Sequence, residues 1–191
     1  KLPSVLGEFK SKYPNITLEL HEGPINKIHR DLSERVTDFA VAPQHEDSYD
    51  LDHKAIVNDP FVAILPRAMA TKRKYITLKA LNQIDQLALS HDTAVRATVE
   101  LVFRNAGLRY RPKIELTHHQ TVISMVEAGL GAAILPKICV AKDENADYQV
   151  LPIRPGILTR QISIVTVNGK RLSPAAQACA DQIVRALRQS A

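Results

Sequence analysis

Two short stretches carry the side chains best suited to hold or transform a small molecule, Ser90-His91-Asp92-Thr93 and His119-Gln120-Thr121. His91 beside Asp92 has the make-up of half an acid–base pair, but no serine or cysteine nucleophile accompanies it in a recognisable motif, so no catalytic residue is assigned. His118 and His119 are neighbours at the end of an expected strand, where consecutive side chains point to opposite faces; they are poorly placed to ligate one metal ion. The chain contains no Gly-x-Gly-x-x-Gly, no Gly-x-x-x-x-Gly-Lys-Ser/Thr and no Gly-x-Ser-x-Gly, and no cofactor is expected. What the two stretches share is position. Each lies where a strand is expected to end and a helix to begin, with Thr93 and Thr121 as the expected helix caps. Such junctions expose unpaired N–H groups and the positive end of a helix dipole, which suits a carboxylate or another small anion. In open α/β sheets, ligands bind at the carboxyl ends of strands. Capping alone would explain either threonine, whereas two junctions together point to a ligand site. Asp92 repels a bare anion and suits an amine or hydroxyl of the ligand instead.

The rest of the composition is that of an ordinary folded protein. The 191 residues are 45% hydrophobic and 24% charged, with a formal charge of +5, which excludes disordered, collagen-like and coiled-coil classes. The apolar runs, such as Phe61–Leu65 and Gly131–Leu135, are strand-sized and far short of a membrane-spanning helix. No secretory signal opens the chain. Cys139 and Cys179 provide neither a disulfide framework nor a zinc spacing, and are read as reduced thiols in a cytoplasmic protein. Arg67, Lys72, Arg73, Lys74, Arg104, Arg109, Arg111 and Lys113 could form a nucleic-acid patch, but without interleaved aromatics or a recognition helix they read as solvated surface.

These side chains are carried by alternating strands and helices. Leu2, Val5, Leu6, Phe9 and Tyr13 give a helical stripe before Pro14. The alternation at Ile16, Leu18 and Leu20 predicts a strand, and Gly23-Pro24 opens a helix carrying Ile25, Ile28, Leu32 and Val36. Strands are expected at Asp38–Ala42, at His53–Val57 and Phe61–Leu65 (two strands or one bent at Asn58-Asp59-Pro60), and at Asp85–Leu89. Further strands are expected at Lys113–Thr117, Ala132–Leu135, Val150–Ile153 and Gln161–Val167. Thr77, Thr93, Thr121 and Ser173 cap helices ending near Leu81, Ala106, Ala128 and Leu187, and Pro136 starts a short one. Such alternation predicts an α/β fold with largely parallel sheets, and eight or nine strands favour two sheets and two lobes. The uncapped opening helix, feeding a strand whose partner should come first, implies further sequence upstream.

Four segments resemble the effector-binding domain of LysR-type transcriptional regulators. They are Leu2-Pro3 to Phe9 with Tyr13-Pro14, Leu18-Glu19-Leu20-His21-Glu22-Gly23, Thr37-Asp38-Phe39-Ala40-Val41, and Val126-Glu127-Ala128-Gly129-Leu130-Gly131 through Pro136. The last is the most specific. Leu172-Ser173-Pro174-Ala175-Ala176 resembles the family's ending, so the likeness spans essentially the whole chain. It implies a two-lobed type 2 periplasmic-binding-protein-like fold with two crossovers, near Val62 and Ser163, and a ligand cleft. Lobe I would comprise residues 1–62 and 163–191, and lobe II residues 63–162. The family's N-terminal winged helix-turn-helix, its linker helix and the first strand are not in this sequence.

By the same resemblance, Ser90, His91, Asp92, Thr93 and Thr121 match effector contacts of the second lobe, and Pro43 and Gln44 match a strand end in the first. Helix Leu2–Tyr13 with Ile16–Leu20 resembles the family's side-by-side dimer surface. The implied partners are a small anionic or polar effector, a second copy in a homodimer (a tetramer for the longer protein), and DNA only through the N-terminal domain, with no membrane. Binding of the effector would shift a conformational population and re-aim the DNA-binding heads. Two other classes fit such a fold. A solute-binding receptor of a transporter would need a secretory signal upstream rather than a helix-turn-helix, and a small enzyme would lose turnover on Ser90→Ala or Asp92→Ala.

Overall fold

The computed structural model describes residues 2–44, 50–140, 146–154 and 158–189. In chain order its elements are α1 (Leu2–Lys12), α2 (Ile25–Ser33), β1 (Ala40–Pro43), β2 (Leu51–Pro66), β3 (Ile76–Thr77), α3 (Leu78–Leu81) and β4 (Gln86–Leu89). There follow α4 (Ala94–Asn105), β5 (Ile114–Leu116), α5 (His119–Glu127), β6 (Ala132–Pro136), β7 (Tyr148–Arg154), β8 (Thr159–Val167) and α6 (Pro174–Arg188). The chain divides into two compact units: unit 1 runs to Asn58 and resumes at Arg160, and unit 2 is Asp59–Thr159. No described helix is long and apolar enough to cross a membrane.

In unit 1, β8 lies between β1 and the first half of β2. It pairs antiparallel with β1, from Ala40 opposite Val165 to Pro43 opposite Ile162. Alternate residues of β8 face opposite cores. Ile162 and Ile164 pack with Val5 and Phe9 of α1 and Cys179, Ile183 and Leu187 of α6. Val165 faces Leu32 of α2, with Ala42 and Leu51. A strand covered on both faces has no polar side, which is why the apolar alternation of β8 is imperfect in the sequence. Ser173 caps α6 by accepting from the Ala176 N–H at 3.2 Å, with Pro174 in the first turn.

The expected strand Ile16–Leu20 is not one. Residues 17–24 form no strand, and Leu18 and Leu20 are 37% and 65% exposed. Alternation describes a surface that suits pairing, but a strand exists only where a neighbouring backbone completes the ladder, and none among the described residues does.

In unit 2 the neighbours run β3–β7–β2–β6–β4–β5. Ala63 and Leu65 of β2 and Ile134 of β6 face a core shared with Val99 and Phe103 of α4. Val62, Ile64, Ala133 and Leu135 face the other side, against Val122 and Val126 of α5. The expectation of largely parallel sheets needs correction: β6, β4 and β5 are mutually parallel, but β2 is antiparallel to both β6 and β7. The parallel strands are joined by helices; β2 instead enters as a single 16-residue strand with no crossover helix before it. The strand assignment continues through Asn58-Asp59-Pro60, so one strand rather than two is found there. Asp59 is buried there, and its Oδ1 accepts the Ile138 N–H at 2.9 Å, so a residue that otherwise favours turns is tied into the strand.

The Gly129-Leu130-Gly131 link has two separate requirements. Gly129 ends α5 at φ +84°, and Gly131 sits at φ +153° against β4, where an added Cβ would come within 2.5 Å of the Asp85 carbonyl oxygen. The Ala132 N–H bonds the same oxygen at 2.8 Å, which brings β6 alongside β4. Pro136 ends β6 and precedes a short 3-10 turn, Lys137–Cys139, rather than occupying its first position. Both cysteines are outside any disulfide, and burial pushes the Cys179 thiol pKa up.

Candidate functional site

The parallel strands β4 and β5 end level with one another, Leu89 opposite Leu116. The ladder continues one residue further, because the Ser90 N–H donates to the Leu116 carbonyl at 2.9 Å, and the Ser90 hydroxyl donates to the same oxygen at 3.1 Å. The loops leading into α4 and α5 therefore start side by side at one edge of unit 2. Ser90, His91, Asp92 and Thr93 follow β4, and Thr121 follows β5.

Thr93 is the cap of α4. Its Oγ1 accepts the Arg96 N–H at 3.2 Å and donates to the Ser90 carbonyl at 2.8 Å, while its own N–H also reaches the Ser90 carbonyl, at 3.1 Å. The hydroxyl is committed to holding the loop. The next backbone groups, the N–H of Ala94 and Val95, have no intrahelical acceptor by helix geometry and supply the donors an anion would need. His91 and Asp92 are exposed beside them.

Thr121 does not cap its helix, contrary to the sequence expectation. The helix α5 begins earlier, at His119, with His118 at the cap position and no side-chain cap bond; the Val122 N–H already reaches the His118 carbonyl at 3.1 Å. Thr121 is thereby an exposed residue of the first turn. A threonine before an apolar run signals a cap only if the backbone has not already turned, and two residues of extra helix upstream remove that role.

Pro43 and Gln44 belong to unit 1. Pro43 closes β1 opposite Ile162, and Gln44 is exposed with its N–H on the Gln161 carbonyl at 2.9 Å. Each unit also carries a groove lined by none of the residues expected from sequence. That of unit 1, about 370 Å³, is flanked by Lys54, Lys170, Arg171 and Asp181. That of unit 2, about 380 Å³, includes Arg109 and Arg111. Among the described residues no group of three or more His, Cys, Asp or Glu side chains could hold a metal ion.

One residue that organises the Ser90 loop was not singled out by sequence. Arg96, only 7% exposed, donates to the Leu89 carbonyl at 3.2 Å, to Glu115 of β5 at 3.0 Å and to Glu100 one turn along α4 at 2.6 Å. Its guanidinium lies 5.1 Å from the centre of the Tyr110 ring. Desolvation works against its charge, but the hydrogen bonds to Glu100 and Glu115 prevail and raise its pKa. The same burial pushes the Tyr110 phenol far up. The only sequence trace of this arrangement is the Arg96–Glu100 spacing, common to many solvated helices.

The family model of the LysR substrate-binding domain matches residues 1–188. The transcriptional regulator CbbR of Xanthobacter flavus is 28% identical over 187 residues, covering 96% of this chain and 56% of CbbR. The chain spans 51% to 60% of the length of the regulators compared. The regulatory domain of CcmR from Synechocystis in complex with 2-PG superposes with a TM-score of 0.85 at 22% identity, covering 98% of this chain and 91% of that one. The effector-binding domain of QuiR in complex with shikimate gives 0.83 at 18%, covering 99% and 91%. Its sequence segments, its α/β architecture and the family match agree: the chain belongs to the LysR substrate-binding domain family.

Proposed function

We propose that this domain senses a small polar or anionic metabolite for a longer LysR-type transcriptional regulator, and that Ser90, His91, Asp92, Thr93 and Thr121 hold the ligand. The observation that carries the reading is the pairing of Leu89 with Leu116, with the Ser90 N–H on the Leu116 carbonyl. It sets the first turns of two helices at neighbouring parallel strand ends, where backbone donors and dipoles favour negative charge. The Asp92 carboxylate then selects a ligand that also offers an amine or hydroxyl. Pro43 and Gln44 are proposed as further contacts. Shikimate and 2-PG, bound by the QuiR and CcmR domains, are small hydroxylated or charged molecules of the kind to screen first.

The domain acts by binding rather than turnover in this reading, as part of a cytoplasmic regulator that reaches DNA through a separate N-terminal domain. A homodimer would transmit the change, and α1 with the exposed Leu18 and Leu20 is its proposed surface. A thermal-shift screen of small carboxylates and phosphorylated metabolites tests the proposal. A ligand at a hundredfold its Kd stabilises by about 2.7 kcal/mol, a rise of several degrees in Tm. The shift should disappear in Thr121→Trp, which fills the space at the α5 first turn, and weaken in Asp92→Ala. A ligand whose shift is unchanged in both variants binds elsewhere and defeats the assignment.

A further inference from the structure

The groove of unit 2 lies at the other end of β4 from Ser90. Ser90 follows the carboxyl end of that strand, whereas Gln86 opens its amino end and lines, with Asn82, Ile84, Arg109 and Arg111, the groove of about 380 Å³. Along residues 108–112 exposure alternates: Leu108, Tyr110 and Pro112 are half-buried, and Arg109 and Arg111 are exposed. Tyr110 packs 4.8 Å from the Phe103 ring, so the two arginines share the outer face. Neither makes an ion pair or hydrogen bond among the described residues. Lys113, the next residue on that face, is already bonded to Asp85 at 2.6 Å.

One residue lining the groove also carries an unpaired acceptor. Gln86 is 3% exposed, and its Nε2 donates to the carbonyls of Leu81 at 2.7 Å and Ile84 at 3.2 Å. Those two acceptors fix the amide orientation, because only the nitrogen end can serve them. Its Oε1 is buried without a hydrogen-bond partner. A buried acceptor left in that state is unfavourable. Two arginines without partners and a residue carrying an unpaired buried acceptor therefore line the same groove.

We propose that this groove is a binding site for a small oxyanion that carries its own hydroxyl, with the anionic oxygens on Arg109 and Arg111 and the hydroxyl donating to Gln86 Oε1. Hydrogen phosphate and α-hydroxycarboxylates share that chemistry. Sulfate matches hydrogen phosphate in size and charge but has no proton to give, and would set a charged oxygen against Oε1. Propionate stands in the same relation to lactate.

Calorimetric titration of the chain at constant ionic strength with these two pairs tests the site. Binding of hydrogen phosphate over sulfate, or of lactate over propionate, should be stronger by about tenfold, the effect of one hydrogen bond to a buried acceptor. A preference in the first pair alone assigns a phosphoryl ligand, and in the second alone a hydroxy acid. The double variant R109Q/R111Q, altered only at the surface, should lose binding by tenfold or more with Tm unchanged, as charge-assisted bonds are removed. Gln86→Met should erase the preference within each pair while leaving the weaker partner bound; where that variant does not fold, R109Q/R111Q decides alone. Equal affinity within both pairs, or affinity unchanged in R109Q/R111Q, overturns the proposal. So does loss of binding in Thr121→Trp, which would place the anion at the other end of β4.

Discussion

Ser90 donates twice to one atom: its backbone N–H and its hydroxyl both bond the Leu116 carbonyl oxygen, at 2.9 and 3.1 Å. The two lone pairs of a carbonyl accommodate both. With its proton committed inward, the Ser90 hydroxyl meets any ligand only as an acceptor. Ser90→Ala keeps the backbone bond and should lower stability by about 1 kcal/mol. Effectors with a hydroxyl or ammonium donor should lose about tenfold in affinity, and effectors without one should be unaffected. Titration of both kinds against the variant separates these cases; equal losses for both would show that Ser90 acts only on the loop.

Arg96 holds β5, the three-residue edge strand of unit 2, through Glu115 and the end of β4 through Leu89. Arg96→Met keeps the packing on Tyr110 but leaves the Leu89 carbonyl without this donor, for an expected loss of about 2 kcal/mol, since Glu100 and Glu115 are themselves partly solvated. Hydrogen exchange of the β5 amides should accelerate more than that of β6. Lysine cannot span the same acceptors with a planar fork, so Arg96→Lys should recover little.

Gly131→Ala should destabilise the protein by about 2 kcal/mol or more, because the Cβ meets Asp85 backbone rather than a yielding side chain and the residue sits at φ +153°. Gly7, inside α1 with open space around it, provides the opposite case. Gly7→Ala should stabilise by about 0.5–1 kcal/mol. Denaturant midpoints of the two variants should move in opposite directions.

The Lys27 ammonium bonded to Asp31 on α2, helped by His21, holds the Asp31 carboxyl below the usual aspartate range, although burial works the other way. A depressed carboxyl stabilises the fold above its unfolded pKa, about 3.9, and that contribution disappears as pH falls through the lower folded value. Denaturant unfolding between pH 2 and pH 6 should show the acid loss, and Asp31→Asn should flatten it. An unchanged acid limb in the variant would assign the loss to other carboxylates.

Leu20 is the most exposed large apolar side chain described in unit 1. If the proposed dimer uses this surface, Leu20→Asp should shift the protein to monomer in sedimentation velocity while leaving Tm at low concentration nearly unchanged. A dimer that persists would place the interface elsewhere.

Much of the architecture was legible because it is local. The stripe of α1, the caps Thr77, Thr93 and Ser173, the Ser173-Pro174 start of α6 and the paired glycines at 129 and 131 depend on backbone geometry within a few residues. The Gly131 segment carried the family resemblance for a physical reason, since the close approach to Asp85 tolerates no side chain. What sequence left open depended on distant chain. Whether 16–20 became a strand turned on a partner backbone, and whether β2 broke at Pro60 turned on the Ile138 N–H, 79 positions from the Asp59 that accepts it. The role of Arg96 is set by the Leu89 carbonyl and the Glu115 carboxylate, which reach it only when β4, β5 and α4 pack, whereas Gln86 bonds carbonyls five and two positions before it. Periodicity and capping are written in nearest neighbours; hydrogen-bond satisfaction inside a sheet is decided by whichever strands come to lie beside it.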